Sequence, residues 1–493
     1  MSAEPSARAR PGRSRALPVF PLEPLAGASA APTLGQAHAG SARGTRVGLV
    51  TLGCDKNTVD SERLLATLVG MGASVATDPA DADVVLVNTC GFIDAAKQES
   101  IETLLEACQL KDGGRVRAVV AVGCLVQRYK SELEEALPEV DLFLGLTEMD
   151  RLVPELRERQ LLDDAPVPLM ERPLRVLTGA TPYTTFLKIS EGCDHTCAFC
   201  AIPDMRGLHR SAPLEGLVAE AALLGRQGVR ELNIISQDTT WYGRDLRRRS
   251  ETAPLLPDLL RALLSGSEIP WFRLFYMYPS GITRELVELL ATEPRLLPYL
   301  DLPLQHGSDR ILAAMRRPER QSTIRERVSW LRDAIPDLTL RTTVIVGFPG
   351  ETDEDFQALL DLLEEVRFER VGAFTYSVEE GTPAAEFPDP VPDALQRERL
   401  EELLERQAAI SLGCNLEQLG RERVALIDHA TPDDRDYAFV ARTAGQAIDV
   451  DGVTHLVRGP AGFDLTPGSF VRVEIVDADE HDLVGSVLSM ETR

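Results

Sequence analysis

The chain has 493 residues, which is too long for one ordinary domain and suggests about three. Its formal charge of −25 opposes nonspecific binding to naked nucleic acid, because an acidic surface repels phosphates; the charge favours a basic partner or simply solubility. No stretch reaches the ~18 uninterrupted apolar residues of a transmembrane helix, so no membrane partner is expected.

Residues 1–45 differ in composition from the rest of the chain. They are rich in Ala, Pro, Ser, Gly and Arg, and their acidic residues are only Glu4 and Glu23. Such a segment cannot bury a core, so a disordered tail is predicted, with a transit peptide or a start codon assigned too far upstream as alternatives. The apolar run of a secretion signal is missing. We therefore expect a cytoplasmic protein whose clustered cysteines bind metal rather than form disulfides.

The block predicted over 46–160 alternates apolar strands with helical segments. RVGLVTLGC, ADVVLVNTC and RAVVAVGC are typical of buried parallel strands, and they end in Cys54, Cys90 and Cys124. Helices are predicted over 58–70, 95–110 and 127–137. This alternation predicts a doubly wound α/β sheet, in which the carboxyl ends of the strands share one edge. The three cysteines should converge there, either as one metal site or as separate core residues.

The block predicted over 180–412 contains six strand candidates, TTFLKIS, ELNIIS, WFRLFYM, YLDLPL, LRTTVIVG and RVGAFTY. Helical stretches lie between them, for example 214–227, 281–292 and 353–366. Repeated βα units predict a parallel barrel, and six units instead of eight predict a partial, TIM-like (β/α)6 barrel that is open on one side. An open side suits a large substrate, and the functional residues should lie at the carboxyl ends of the strands.

The last block, 413–493, is predicted to form a small antiparallel β-barrel. Its short strands RVALIDHA, DYAFVARTAG, VTHLVRG and SFVRVEIV are separated by turns that contain Gly or Pro. The block holds 15 Asp and Glu against 7 Lys and Arg, a net charge of about −8. A barrel this acidic is a poor phosphate binder, so we expect it to contact a basic protein or to serve only in packing.

Three cysteines follow the first barrel strand in ISEGCDHTCAFCAIPDMRG, residues 189–207: Cys193, Cys197 and Cys200. A [4Fe–4S] cluster has four irons, each usually held by one cysteine, so three cysteines leave one iron open to a substrate or cofactor. Structural zinc with His195 as the fourth ligand is an alternative, although His195 is expected to face outward. A redox pair is a further alternative, but it would leave the third cysteine unused.

The spacing Cys-x3-Cys-x-aromatic-Cys, with Phe199 at the aromatic position, resembles the radical S-adenosylmethionine (SAM) superfamily. In that superfamily the open iron binds the amino and carboxylate groups of SAM, and one electron cleaves SAM to a 5′-deoxyadenosyl radical. The resemblance implies that the three cysteines are catalytic cluster ligands. It also implies SAM contacts from Phe199, Ser236, Gln237, Gln305 and Arg341. The last two are equally explained as inward structural polar groups.

The order of the blocks resembles the methylthiotransferases over about residues 45–490: a cysteine-bearing α/β domain, a radical SAM barrel and a small TRAM-like barrel. The resemblance implies that Cys54, Cys90 and Cys124 bind a second [4Fe–4S] cluster, whose open iron faces the first cluster and binds the sulfur to be inserted. CDKNTVDSE, residues 54–62, matches the family pattern. Asn57 is also a plausible helix cap, and Asp60 and Glu62 are also explained as capping and surface charge.

Three further stretches resemble the ribosomal-protein group of that family: NTCGFIDAAKQES, ISQDTTWYG and YLDLPLQHGSDRIL. They imply methylthiolation of the β-carbon of an aspartate in ribosomal protein S12, free or in the small subunit, with two SAM molecules per turnover. The activity implies an external electron donor, such as a flavodoxin or ferredoxin, and a sulfur source. A tRNA adenosine methylthiotransferase and a non-catalytic iron–sulfur electron-transfer or sensor protein are the alternatives.

RDLRRRS, residues 244–250, is a basic loop in an acidic chain. We expect it to be solvated, with contact to ribosomal RNA as the alternative.

Overall fold

The computed structural model describes residues 44–163, 166–168, 173–179, 181–457 and 465–492. The chain divides into two compact units, Met1–Ala180 and Thr181–Arg493. The tail predicted over 1–45 lies outside the described residues, apart from its last two positions. Among the residues that the structure describes, no helix is long and apolar enough to cross a bilayer.

The first unit contains one parallel sheet. Its strands are β1 (Arg46–Thr51), β2 (Ser74–Val75), β3 (Val84–Thr89), β4 (Ala118–Gly123) and β5 (Leu142–Gly145). Its α-helices are α1 (Asp55–Gly70), α2 (Asp94–Gln109), α3 (Cys124–Ala136) and α4 (Leu152–Glu158). In the described part of this unit the strands pair in the order β2–β1–β3–β4–β5, all parallel.

Apolar residues cover both faces of this sheet. Leu65 of α1 packs on one face with Leu86, and Leu104 of α2 packs on the other face with Val85. Because every residue of β3 is buried, the strand is a continuous apolar run rather than an alternating one. The predicted doubly wound sheet is confirmed, and Cys108 of α2 lies in its core.

The second unit contains an open parallel barrel. Its main strands are β6 (Thr184–Lys188), β9 (Glu231–Ile235), β10 (Trp271–Leu274), β11 (Leu296–Asp301), β12 (Thr339–Val346) and β13 (Arg370–Thr375), and a short hairpin, β7 (Ser190–Glu191) with β8 (Arg210–Ser211), follows β6. Its helices are α5 (Ile202–Arg206), α6 (Leu214–Arg226), α7 (Arg244–Arg247), α8 (Leu256–Gly266), α9 (Arg284–Thr292), α10 (Asp309–Ala314), α11 (Gln321–Ala334), α12 (Asp353–Val366) and α13 (Asp393–Leu416). Within the described ranges the sheet order is β6–β9–β10–β11–β12–β13, which confirms the predicted partial barrel.

The same unit ends in a small closed barrel. Its strands are β14 (Glu422–Ala430), β15 (Tyr437–Thr443), β16 (Thr454–Val457), β17 (Phe470–Ala478) and β18 (Leu483–Glu491). The described residues close in the order β14–β15–β16–β18–β17, and β16 runs parallel to β18. The purely antiparallel prediction overlooked β18. Neighbours cannot all be antiparallel around a ring with an odd number of strands, so one parallel pair is required.

The small barrel packs against the strand starts of the open barrel. Arg442 of β15 is buried and pairs with Glu231 at the start of β9 (2.6 Å) and with Asp428 of β14 (2.8 Å). The ring of Trp271, at the start of β10, lies 4.9 Å from that of Phe470. The carboxyl ends of the open-barrel strands are therefore left for the cysteine loop that follows β6.

Candidate functional site

The first three cysteines follow three neighbouring strands. Cys90 directly follows β3, Cys124 directly follows β4, and Cys54 lies three residues after β1. These strands are adjacent in the sheet, with Thr51 opposite Asn88 and Thr89 opposite Gly123. The topology therefore brings Cys54, Cys90 and Cys124 to one sheet edge, as the sequence predicted. We call them the first trio.

Asn57 connects the backbone around the first trio. Its side-chain amide donates to the carbonyl oxygens of Leu52 (2.8 Å) and Thr89 (3.2 Å), and its Oδ1 lies 3.8 Å from the Cys124 Sγ. Asn57 is fully buried inside α1, while the residue that precedes the helix is Cys54, in an extended conformation. The prediction that Asn57 caps this helix is wrong, because its amide is used to join three strand ends.

Two glycines permit the close approach of the chain segments around the first trio. Gly53 (φ +87°) precedes Cys54, and Gly123 (φ +104°) precedes Cys124, a backbone region that disfavours other residues. A Cβ on Gly53 would lie 2.8 Å from the Cys90 Sγ. The edge is thus packed so that Gly53, the residue before Cys54, lies directly against Cys90.

Glu62 is not a surface charge. It is buried, it accepts hydrogen bonds from the Arg175 Nε (2.9 Å) and the Thr178 backbone N–H (3.0 Å), and it ties α1 to the segment 173–179. The interpretation of Glu62 as surface charge is wrong, because the side chain is buried and hydrogen-bonded. The sequence could not show this, since the partners lie more than 110 residues away. Asp60 is half-buried.

The second trio, Cys193, Cys197 and Cys200, lies in the loop between β7 and α5 at the mouth of the open barrel. Cys193 and Cys197 are buried, and Cys200 is half-buried. Burial raises the pKa of the Cys193 thiol to about 12 and that of Cys200 to about 12. Burial therefore keeps these thiols protonated in the absence of a positive partner. All eight cysteines are described, and none forms a disulfide.

The donor atoms of both trios fit an iron–sulfur cluster. Each trio supplies three cysteine sulfurs, the donors that usually hold the irons of a [4Fe–4S] cluster. Zinc needs four ligands around one centre. In a [4Fe–4S] cluster each cysteine binds a different iron, so the sulfurs need not converge.

His195 points inward, which corrects the prediction that it faces outward. Its Nε2 lies 2.7 Å from the Asp238 carboxylate, and its ring stacks on Tyr278 with the centroids 4.2 Å apart. The inward orientation results from this hydrogen bond and from the aromatic surface of Tyr278. Because Asp238 already engages Nε2, this atom is not offered as a zinc ligand.

The sequence did not single out Arg317 and Tyr278, which contact a cysteine of the second trio. The Arg317 Nη1 lies 3.8 Å and the Tyr278 hydroxyl 3.9 Å from the Cys197 Sγ. The guanidinium also lies over the Tyr278 ring, 3.9 Å from its centroid, and pairs with buried Glu319 at 3.4 Å. Burial raises the pKa of Tyr278, so it stays a hydroxyl donor. The local sequence gives no signal for these contacts, since Arg317 and Cys197, for example, lie 120 positions apart.

Three predicted SAM contacts lie near the second trio. Ser236 is fully buried; its hydroxyl shares a hydrogen bond with Ser190 and accepts the Asp238 N–H (3.3 Å). Gln237 is half-buried, and its side chain has no hydrogen-bond partner among the described residues. Phe199 is half-buried and packs against an apolar cluster of the same unit. A SAM contact stays a prediction for these three residues.

Gln305 and Arg341 belong to the polar lining of the open barrel. Gln305 has φ +78°, and its backbone bridges Thr343 and Ile345 of β12. A strained backbone of this kind costs ~1–3 kcal/mol and is typical of ligand sites. Arg341 pairs with Asp301 at 2.9 Å and with Asp451 at 3.7 Å, so two carboxylates already compensate its charge. A SAM contact stays a prediction for both residues.

A cavity of about 780 Å³ lies at the opposite end of the open barrel. It is lined by Trp271, Thr339 and Arg370, which begin their strands, and by residues of the small barrel such as Arg423. Neither trio contributes to it, so this cavity is not the site of the cluster chemistry.

An open barrel of six parallel strands with three cysteines after its first strand defines the class of radical SAM proteins. Residues 187–363 match the Radical SAM superfamily, residues 46–145 match the Uncharacterized protein family UPF0004, and residues 419–488 match the TRAM domain.

Two relatives are similar over nearly their whole length. The chain is 46% identical over 450 residues to the ribosomal protein uS12 methylthiotransferase RimO of Anaeromyxobacter sp. (strain K), covering 91% of this chain and 94% of that protein. It is 45% identical to the protein of the same name from Symbiobacterium thermophilum, covering 90% and 91%. The chain therefore belongs to the family of the radical SAM ribosomal protein uS12 methylthiotransferases, and it uses SAM and [4Fe–4S] clusters.

Among solved structures, the radical SAM methyltransferase TsrM from Kitasatospora setae is similar at a TM-score of 0.48 and 16% identity, covering 69% of this chain and 74% of that chain. This similarity is too distant to bear on function.

Proposed function

We propose that this chain methylthiolates the β-carbon of an aspartate in ribosomal protein S12, using two [4Fe–4S] clusters and SAM. The observation that carries the proposal is that this chain is 46% identical to a uS12 methylthiotransferase over 94% of that protein. The two cysteine trios at the carboxyl ends of strands support it. We place the reaction in the cytoplasm. An external electron donor, such as a flavodoxin or ferredoxin, and a sulfur source complete it.

The first trio would hold one cluster and the second trio the other, each by three irons with the fourth left open. When bound, the clusters and SAM supply a hydrogen-abstracting carbon radical, a methyl group and transferable sulfur, which no side chain can provide. The protein positions and shields these groups. Burial of Cys193 and Cys197 shields these two sulfurs from water, while Arg317 and Tyr278 donate toward Cys197.

Charge supports a protein substrate over tRNA. The small barrel, residues 413–493, carries about −8, and the whole chain carries −25. S12 is basic, whereas tRNA is a polyanion that such a surface repels. The methylthiolated residue is therefore expected in S12.

The test is mass spectrometry of S12 and tRNA from a strain that lacks the enzyme, complemented with this chain or its variants. Wild type should restore the methylthio group on S12. Cys197→Ala should abolish both SAM cleavage and the modification, whereas Cys90→Ala should keep SAM cleavage and lose the modification.

Cys414→Ala, which changes a cysteine outside both trios, is the matched control and should behave as wild type. A modified tRNA with unmodified S12 would contradict the substrate. Methylthiolated S12 from Cys90→Ala would contradict the role of the first trio.

A further inference from the structure

A compact basic surface lies beside the loop of the second trio. It consists of one apolar residue and five exposed arginines, and we call it the arginine patch: Leu208, Arg210, Arg244, Arg247, Arg248 and Arg249. Leu208 is 73% exposed. The two segments that carry the arginines are joined by hydrogen bonds. Asp245 of α7 accepts from the N–H (3.0 Å) and the hydroxyl (2.6 Å) of Ser211, the residue after Arg210.

Much of this positive charge is uncompensated. Within the described residues, Arg210, Arg244 and Arg249 have no carboxylate within salt-bridge distance. Elsewhere in the described part of the same unit some arginines on outer helices are paired, as in Arg325–Glu365 (2.8 Å) and Arg406–Glu364 (2.9 Å), and the unpaired ones, such as Arg226 and Arg397, are far apart in sequence. A chain of net charge −25 thus keeps a local positive surface at this point. Such a surface attracts acidic macromolecules and increases their association rate.

The arginine patch directly supports the cysteine loop. Asp194, the residue after Cys193, accepts hydrogen bonds from Arg248 (3.1 Å) and from the His209 N–H (2.8 Å). The Cys193 N–H in turn donates to the Gly207 carbonyl (3.0 Å). A protein seated on this surface would therefore lie one residue from a cluster ligand.

A continuous series of side chains links the patch to Cys197. The Arg244 guanidinium lies 5.5 Å from the Trp241 ring centroid, and the Trp241 ring lies 4.7 Å from that of His195. His195 stacks on Tyr278, whose hydroxyl lies 3.9 Å from the Cys197 Sγ. An electron that arrives at the patch therefore has packed side chains, rather than solvent, between it and the cluster.

We propose that the arginine patch is the docking site of an acidic protein that delivers single electrons to the cluster of the second trio. The inference rests on the proposed function, because it needs that cluster. In each encounter the reduced partner loses one electron and the cluster gains one, and no covalent bond forms or breaks. Electron-transfer complexes are typically small and transient, which suits a patch of only six residues, five of them arginines and one an exposed leucine.

An acidic carrier fits this surface better than the alternatives. S12 is basic and would be repelled by five arginines. RNA would also be attracted, but RNA binding gains nothing from closeness to Cys197 or from the exposed Leu208. The position beside the cluster loop therefore favours the electron donor, and RNA binding becomes an outcome of the test.

The test compares the reconstituted full-length chain with Arg210→Gln/Arg244→Gln/Arg249→Gln, which removes three of the four patch arginines without a carboxylate partner among the described residues. The fourth, Arg247, is kept because it donates to the Ala253 carbonyl (2.9 Å). The probe is flavodoxin, an acidic one-electron flavoprotein. Its affinity is measured by biolayer interferometry at low and high salt, and cluster reduction is followed by stopped-flow absorbance. Dithionite is the parallel reductant. The control, Arg226→Gln/Arg397→Gln/Arg435→Gln, removes the same charge from exposed sites elsewhere in the unit.

At low salt the patch variant should bind flavodoxin about tenfold more weakly than wild type, and flavodoxin should reduce its cluster about tenfold more slowly. Both differences should shrink at high salt. Dithionite should reduce wild type and both variants alike. Unchanged flavodoxin reduction, or an equal loss in the control, overturns the proposal. A variant that keeps flavodoxin affinity but loses affinity for ribosomal RNA also overturns it. If dithionite fails to reduce even the wild-type cluster, the proposed function fails and the docking site with it.

Discussion

Three of the six trio cysteines are preceded by a glycine with positive φ. Gly53, Gly123 and Gly192 have φ of +87°, +104° and +73°. At Gly192, as at the other two, an added Cβ would collide with neighbouring atoms, here the Leu208 carbonyl oxygen. The same local solution occurs in both units: the chain turns sharply after a strand and presents a cysteine where a side chain on the previous residue would not fit.

Gly53→Ala should remove the cluster of the first trio, because the new Cβ would lie 2.8 Å from the Cys90 Sγ. Iron in the anaerobically reconstituted chain should fall from about eight to about four per chain. Gly113→Ala is the matched control, since Gly113 has φ +72° but open space around it. Equal iron contents in the two variants would contradict the steric argument.

Arg317→Met should make the cluster of the second trio harder to reduce. The buried cation 3.8 Å from the Cys197 Sγ favours the more negative, reduced state, because hydrogen bonds to ligand sulfur help set the potential. We expect about a tenfold lower ratio of reduced to oxidised cluster at a fixed potential, ~59 mV for one electron. The measurement is an EPR-monitored redox titration.

The neighbouring Arg316 is exposed, so Arg316→Met removes the same charge without the contact and should leave the potential unchanged. Arg317→Met/Glu319→Gln avoids an unpaired buried carboxylate and should shift the potential in the same direction as the single variant. A wild-type potential in both Arg317 variants would leave Arg317 only a structural role.

At the scale of elements, buried ion pairs join the small barrel to the strand starts of the open barrel. Burial opposes charge on Glu231, but Arg442 and Arg273 lower its pKa below the usual value. Arg273 also donates to the Ala444 carbonyl (2.7 Å), and the Tyr299 hydroxyl donates to Asp451 (2.7 Å). The connection therefore depends on matched polar groups in addition to apolar contact.

Arg442→Ala should destabilise the second unit by ~3–5 kcal/mol, because it leaves Asp428 as a buried carboxylate without a cation and leaves Glu231 with Arg273 alone. Urea unfolding followed by tryptophan fluorescence measures this, since Trp271 contacts Phe470 at the junction. Arg472→Ala removes a partly exposed pair with Glu491 (3.0 Å) and should cost less than ~1 kcal/mol. Similar losses in the two variants would rule out the buried network as the cause.

At the scale of the whole molecule, the proposal assigns one cluster to each unit. Replacing the first trio by alanine should halve the iron and sulfide of the purified chain, and replacing the second trio should do the same. Only the first of these variants should retain SAM cleavage under reducing, anaerobic conditions. Complete loss of iron in either variant would show that the two clusters do not load independently.

The amino-acid sequence by itself predicted the main strands, their parallel direction in the first two blocks and the approach of the first three cysteines, because apolar periodicity and strand–helix alternation are local signals that sum along the chain. The roles of Glu62 and Arg317 were decided only by the tertiary structure, since their partners Arg175 and Cys197 lie more than 110 residues away in sequence. The inward turn of His195 likewise depends on Asp238 and Tyr278 from other strand ends. Polar contacts across a fold depend on distance in space, to which sequence spacing gives no guide.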